Sequence, residues 1–409
     1  MMEILKYFHP KVKLEILNRM DSSNEYLETE KAQIIKELNC KIEPSNNVLP
    51  LIELISKPNL QKDYDMNLKL VQETDFSNLL TFLSNQVGKN DNLSLNLDNL
   101  IFILIKNRKS INTFTVTFSL ISIYHLQITL IYLEKDNISK RCSIYSLLFK
   151  IMEEINLLDN YYKNITSNQY DINDQNNYFM LKMSNECLVL KSYLLNWFFI
   201  PLTIPCTSEF EINNQLMYIN QTLENIIKDN SYYNLLKYFQ EITGYLYYFN
   251  LIIKKIETND KISELDTSFS MIKDFSNELN NEFNIDKVLP LRDECIKYMK
   301  NDFILKNLES EFQKSTNEIL INQYIQLYCT LELSVVNKIL VNFSNNVEDY
   351  IEFLIRRKYP YCRIFKNQEN QTIEYEQKSY NCIEAIEYRL KPVKEIEKTI
   401  VDLLKKVEI

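Results

Sequence analysis

Glycine is nearly absent from this chain: two occur in 409 residues, Gly88 and Gly244. Tight hairpins, phosphate-cradling loops and close backbone approach to a ligand draw on glycine, which takes positive φ at no steric cost. A dinucleotide fingerprint or a P-loop needs several glycines within a few residues, so neither can be written here. An all-β fold is disfavoured on the same ground. Histidine is as scarce, with His9 and His125 far apart and without a nearby ligand pattern. Metal-dependent hydrolysis through histidine pairs, or Ser-His-Asp and Cys-His catalysis, would have only these two to use. His125 sits in an apolar run and reads as a core residue. The eight cysteines include no Cys-x-x-Cys pair, which leaves a zinc site without support. Positive charge is also short: 46 Lys and Arg stand against 55 Asp and Glu, for a net charge of −9. An acidic chain repels phosphate backbones and argues against nucleic acid as the main partner. The opening Met-Met-Glu-Ile-Leu-Lys lacks the apolar run of a signal peptide, so reduced thiols inside the cell are expected. Neither a cofactor nor a catalytic residue is expected.

What is present is a helical pattern. A hydrophobic content of 45% is ample for a packed core. The loops are rich in Asn and Asp, and Asn is expected to take left-handed positions in place of glycine. Short stripes such as Ile4, Leu5, Phe8 and Ile34, Ile35, Leu38 open the chain. From Ile111 to Leu133 no charged side chain appears, which is long enough to cross a bilayer. Asn112, Ser119, Ser122, His125, Gln127 and Thr129 interrupt that run with polar groups that hydrocarbon disfavours, so a buried helix is the preferred reading. Asp159 to Asn177 reads as a loop. Helices follow at about 178–199, 210–228, 232–256, 261–282, 289–299 and 301–313. Their length and spacing suit stacked helical hairpins, without a strict sequence repeat.

From Thr316 the pattern changes. Leu320, Tyr324, Leu327 and Tyr328 make one helical stripe. Leu333, Val336, Leu340 and Phe343 make a second, and Val347, Tyr350, Ile351, Leu354 and Ile355 a third. Asn345, three residues before Glu348, is the expected start of the third helix. Tyr361–Phe365 and Thr372–Tyr375 read as two short strands, with Lys366 to Asn370 turning between them. Arg356-Arg357-Lys358 closes the third helix. It suits the negative helix end better than a phosphate partner. From Cys382 to Ile409 the residues Ile383, Ile386, Leu390, Val393, Ile396, Ile400, Leu403 and Val407 form an apolar stripe, interrupted near Pro392. That stripe either folds back on its own chain or meets a helix of another subunit, and the second is preferred.

Three helices followed by two strands is a winged-helix pattern. Helical repeats, a winged helix and a terminal helix together resemble the PCI-domain family of scaffold subunits. The resemblance runs through Leu331-Glu-Leu-Ser334, Ile339-Leu340, Val347-Glu348, Leu354-Ile355, Cys362-Arg-Ile364 and Ile373-Glu-Tyr375. Within the family, two stretches are similar to the third subunit of the COP-nine signalosome. One is Leu190-Lys191-Ser-Tyr193 leading to Trp197-Phe198-Phe199 and Thr203-Ile-Pro205. The other is Cys382-Ile383-Glu384 through Tyr388-Arg389-Leu390-Lys391. The wing turn departs from the family by lacking glycine.

The resemblance implies a mainly α protein: helical repeats over 1–175 and 176–315, a winged helix over 316–378 and an amphipathic helix over 381–409. It implies no active site here, since a different, metal-binding subunit of that complex removes the ubiquitin-like Nedd modifier from cullins. The implied partners are other PCI subunits, met through Tyr361, Arg363, Phe365, Thr372, Ile373 and Tyr375 at the strand edges. The tail residues Ile383, Ile386, Leu390, Ile396, Ile400 and Leu403 would join a bundle of similar tails. Cullin-RING ligases would be reached through the complex, in cytoplasm and nucleus, with no membrane partner. Scaffold subunits of the proteasome lid or initiation factor three, and an RNA- or DNA-binding adaptor of the mRNA-export type, are the alternatives.

Overall fold

A computed structural model describes residues 2–20, 25–58, 60, 68–134, 140–167, 174–204, 214, 216–223, 234–255, 264, 267, 269–280, 283–340, 346–360, 362–367 and 369–376. The protein is mainly α. Its first helices are α1 (Met2–Leu5), α2 (Pro10–Asn18), α3 (Glu25–Leu38), α4 (Leu49–Ile55), α5 (Leu68–Glu73), α6 (Phe76–Asn85) and α7 (Leu93–Lys106). The longer α8 (Thr113–Leu133), α9 (Lys140–Ser167) and α10 (Asp174–Trp197) follow. Then come α11 (Gln240–Ile252), α12 (Ser270–Asn280), α13 (Ile285–Asn301) and α14 (Glu309–Leu327). The last elements are β1 (Thr330–Glu332), α15 (Leu333–Ile339), α16 (Val347–Lys358), β2 (Arg363–Asn367) and β3 (Thr372–Glu376). Residues Met1–Glu282 and Pro290–Gln313 form one compact unit, and Phe283–Leu289 with Lys314–Ile409 form the other.

The polar residues that enrich the loops act as helix caps. Asn112 accepts from the Phe114 and Thr115 amides at 2.9 and 3.3 Å to start α8. Asp75 accepts from the Asn78 amide at 3.2 Å to start α6. Each side chain supplies an acceptor that the first turn of a helix lacks. Among the described residues no asparagine takes the expected left-handed position. Positive φ among the described residues falls at Gly88, Lys254 and Gln371 instead. Asn spends its side-chain carbonyl on a backbone N–H, which fixes it at a cap or turn start rather than in the left-handed well.

The first unit is built around two helices that have no polar face. α8 is long and apolar enough to cross a membrane by length and composition, and here it packs against α2, α6, α7 and α9. α11 is buried at every position from Glu241 to Ile252. A helix apolar on all sides finds its minimum inside the protein. The second glycine serves this packing. A Cβ at Gly244 would overlap the ring of Phe269, so the helix passes that ring only because position 244 carries no side chain. Deep in the same unit Asp302 accepts from the Ile304 and Leu305 amides at 2.8 and 2.9 Å and from the Tyr245 hydroxyl at 2.8 Å. The expected loop from Asp159 is shorter than its composition suggested, because α9 continues to Ser167 and α10 begins at Asp174. Asn and Asp weaken a helix by only a few tenths of a kcal/mol each, roughly, which tertiary packing overrides.

In the second unit the sheet has three strands in the order β1-β3-β2, all antiparallel. β1 was not expected from the sequence. It is three residues long and pairs Leu331 with Ile373, some forty positions on. The third helix starts one residue later than expected, with Asn346 accepting from the Glu348 amide at 3.1 Å. The turn between β2 and β3 manages without glycine. Asn367 Oδ1 accepts from the Glu369 and Asn370 amides at 3.1 and 3.2 Å, and Gln371 takes the left-handed position at φ 50.

Candidate functional site

Strand alternation divides the expected interface residues between two faces. Leu331, Ile373 and Tyr375 point inward and are buried, while Arg363, Phe365 and Glu374 point outward and are exposed. Tyr375 also stacks on Tyr359 at 5.5 Å and donates its hydroxyl to the Ile325 carbonyl. Ile373 and Tyr375 are therefore core residues of this unit, and the expectation that they contact another subunit is corrected. β3 as a whole is corrected with them, because β1 and β2 occupy both its edges. Thr372 is half-buried. Tyr361 and the whole tail stripe, Ile383 through Leu403, lie outside the described residues.

The two outer edges of the sheet differ. β1 is partly covered, since the Glu332 N–H donates to the Tyr324 hydroxyl at 3.3 Å. The outer edge of β2 pairs with no described strand. β2 is held to α16 by Lys366, whose ammonium lies 3.2 Å from Glu352, 3.7 Å from Glu348 and 3.7 Å from Asp349. That leaves Arg363 and Phe365 on the open face, with Phe365 52% exposed. An unpaired strand edge beside an exposed aromatic is a surface suited to another protein chain.

The structure also brings together the two histidines. A cleft of about 500 Å³ in the helical unit is lined by both, from α2 and α8, with α3, α6 and α10 completing the wall. His9 caps α2 by accepting from the Lys11 amide at Nδ1, 3.2 Å away. Its proton therefore sits on Nε2, which donates to Ser84 Oγ at 3.0 Å. This orientation makes His9 a donor to the serine. A general base would need that nitrogen free to accept. The His9 pKa is lowered to about 4, chiefly by burial, with the nearby Lys11 and Lys13 acting in the same direction. His125 stacks on Trp197 at 4.0 Å and 8°, and Trp197 stacks on Tyr193 at 5.7 Å and 9°. Burial holds the His125 pKa at about 3. Its Nε2 is out of solvent and has no hydrogen-bond partner.

Two comparisons bear on identity. No family model matches this sequence, and no curated protein matches it.

The basic cluster at the end of α16 is partly engaged within its own unit. Arg356 bonds Glu352 at 3.0 and 2.8 Å, and Lys358 donates to the Asn322 carbonyl at 3.4 Å. The cleft had no signature in the sequence. His9, Ser84, His125 and Trp197 come from four separate helices or their caps, and nothing local ties them. The inward set of β3 was readable, because Ile373 and Tyr375 alternate strictly with Thr372, Glu374 and Glu376.

Proposed function

We propose that this chain is a non-catalytic scaffold subunit of a multi-subunit PCI complex, and within that class of the COP-nine signalosome. In this reading α14 to β3 is the winged helix, and the helical unit is a degenerate repeat array. The observation that carries it is the three-stranded sheet with the order β1-β3-β2 and one open edge at β2, beside Phe365. A neighbouring winged helix would complete that edge through backbone hydrogen bonds, with Arg363 and Phe365 giving side-chain selectivity. The tail from Cys382 would add a helix to a bundle of similar tails. The chain's role would be architectural: it would position a metal-binding subunit of the same complex that cleaves Nedd from cullins, in cytoplasm and nucleus.

The test is a native pull-down of the tagged chain from its own cells, with mass spectrometry of the co-purifying proteins. Other PCI subunits, a metalloprotease subunit and cullins are the expected result. Proteasome-lid or initiation-factor subunits would keep the scaffold role and move the complex. Recovery of the chain alone, or with RNA only, would overturn the proposal. The internal bonds of Arg356 and Lys358, together with the acidic balance, favour protein over nucleic acid as partner.

A further inference from the structure

The histidine cleft has the size of a small-molecule site, about 500 Å³ against a usual range of roughly 300–1,000 Å³. Its lining is chiefly apolar. Phe8, Leu80, Ile121, Leu126 and Leu190 face it, and the parallel rings of Tyr193, Trp197 and His125 form one wall. Trp197 is fixed in place by donating Nε1–H to the Tyr7 carbonyl at 2.6 Å.

Most polar side chains at the cleft are already engaged. Thr81 donates to the Ser77 carbonyl at 2.8 Å and Ser122 to the Phe118 carbonyl at 2.9 Å. Asn85 donates to the Cys40 carbonyl at 2.6 Å. Two of the groups left for a guest bear most on its chemistry. One is the buried, unpartnered Nε2 of His125. The other is the Ser84 hydroxyl, whose oxygen accepts from His9 and whose proton is left to donate. A buried polar nitrogen without a partner is unfavourable, and a ligand that bonds it removes that penalty. Charge narrows the class further. Among the described residues no Lys or Arg lines the cleft, and Glu37 is its one acidic residue, so an anion would meet no cation in the cleft wall itself, Lys11, Lys13 and Lys89 lying outside it.

We propose that this cleft binds a neutral, planar aromatic molecule whose body lies among the apolar and aromatic walls and whose single polar group meets His125 Nε2 or Ser84 Oγ. The site lies wholly within the helical unit and does not depend on the scaffold reading.

The probe is N-phenyl-1-naphthylamine, which is neutral, aromatic and carries one N–H. Trp197 is the only tryptophan in the chain, so energy transfer from it reports this cleft. The expected result is a saturable titration with one probe per chain. The sulfonated counterpart, 8-anilino-1-naphthalenesulfonate, has the same rings plus a negative charge, and should bind about tenfold more weakly or less. Ser122→Phe on α8 and Thr81→Phe on α6 each fill the cleft from a different wall, and each should abolish transfer while the helical circular dichroism is retained. His125→Phe keeps the ring stack and removes the nitrogen, and should weaken binding about fivefold. It remains informative if neither filling variant folds. A signal that does not saturate would overturn the proposal. So would one that survives a folded filling variant, equal affinity for the sulfonate, or an unchanged affinity in His125→Phe. A chain that joins no complex can pass this test, and a true subunit can fail it.

Discussion

α11 is buried along its length from Glu241 to Ile252, whereas β2 leaves Arg363, Phe365, Lys366 and Asn367 exposed. The first lies at the centre of its unit, and the second is an edge strand of its sheet. In the helical unit some polar groups are drawn inside and bonded there, as at Asp302 and Tyr245. In the sheet unit, charged groups stay on the surface and pair in solvent, as Lys366 does with three carboxylates of α16. Surface pairs of that kind contribute at most about 1 kcal/mol, so the sheet's stability rests on Leu331, Ile373, Tyr375 and the helix stripe behind them. Carboxylate contacts are therefore structural where buried, at Asp302, and close to neutral where exposed, around Lys366.

That contrast can be tested by removing one group at a time. The largest effect is expected from Asp302→Ala, which strands the Tyr245 hydroxyl and two buried amides. A loss of about 4 kcal/mol in urea unfolding is expected, since each orphaned donor costs roughly 1–3 kcal/mol. Asp302→Asn keeps an acceptor oxygen and should lose less than half as much. Equal losses for the two would mean that the bonds matter less than the space. Next is Ile373→Ala in the sheet unit, expected to cost about 3 kcal/mol through lost burial and the cavity left behind. A loss below about 1 kcal/mol would show that β3 is not the centre of that core.

The third prediction concerns acid. His9 is neutral in the fold because burial depresses its pKa to about 4, while in the unfolded chain it takes up a proton below about 6.5. The unfolded state therefore binds more protons between those values. Stability is complete above pH 6.5 and falls as the pH drops toward 4. The expected loss at pH 5 is about 2 kcal/mol from His9, at 1.36 kcal/mol per unit. His125, held lower still at about 3 by burial, adds a comparable share. His9→Asn keeps a capping acceptor for α2 and removes one of the two titrations, so it should roughly halve the pH dependence of the unfolding midpoint. A slope unchanged in that variant would place the acid sensitivity elsewhere. The smallest effect on stability belongs to Phe365→Ser, within about 0.5 kcal/mol, because the side chain lies on the surface. Its expected consequence is weaker co-purification with partner subunits. Intact co-purification would remove β2 from the interface.

The sequence made some of this legible, for physical reasons that differ by element. The apolar stripe of α16 was plain because Ile351, Leu354 and Ile355 recur at helical spacing and all three are buried. The Leu327 and Tyr328 end of the α14 stripe misled, since both are more than 40% exposed where the helix stops. β1 was invisible because three residues carry no period of their own, and its pairing is set by β3. The alternation of β3 was in plain view, yet period two alone does not say whether a strand is an edge or a centre. Only the third strand decides that, and the third strand was the one not seen. The cleft has no sequence signature, because packing of α2, α6, α8 and α10 assembles it from residues that share no spacing.

Gly244 and Phe269 share one volume, and that couples their history. A methyl group at position 244 cannot appear while a phenyl ring occupies 269, and a smaller residue at 269 leaves a hole unless 244 grows to fill it. Drift at either site alone is uphill. Among relatives of this chain the two positions should change together, so that the pair is inherited as one character.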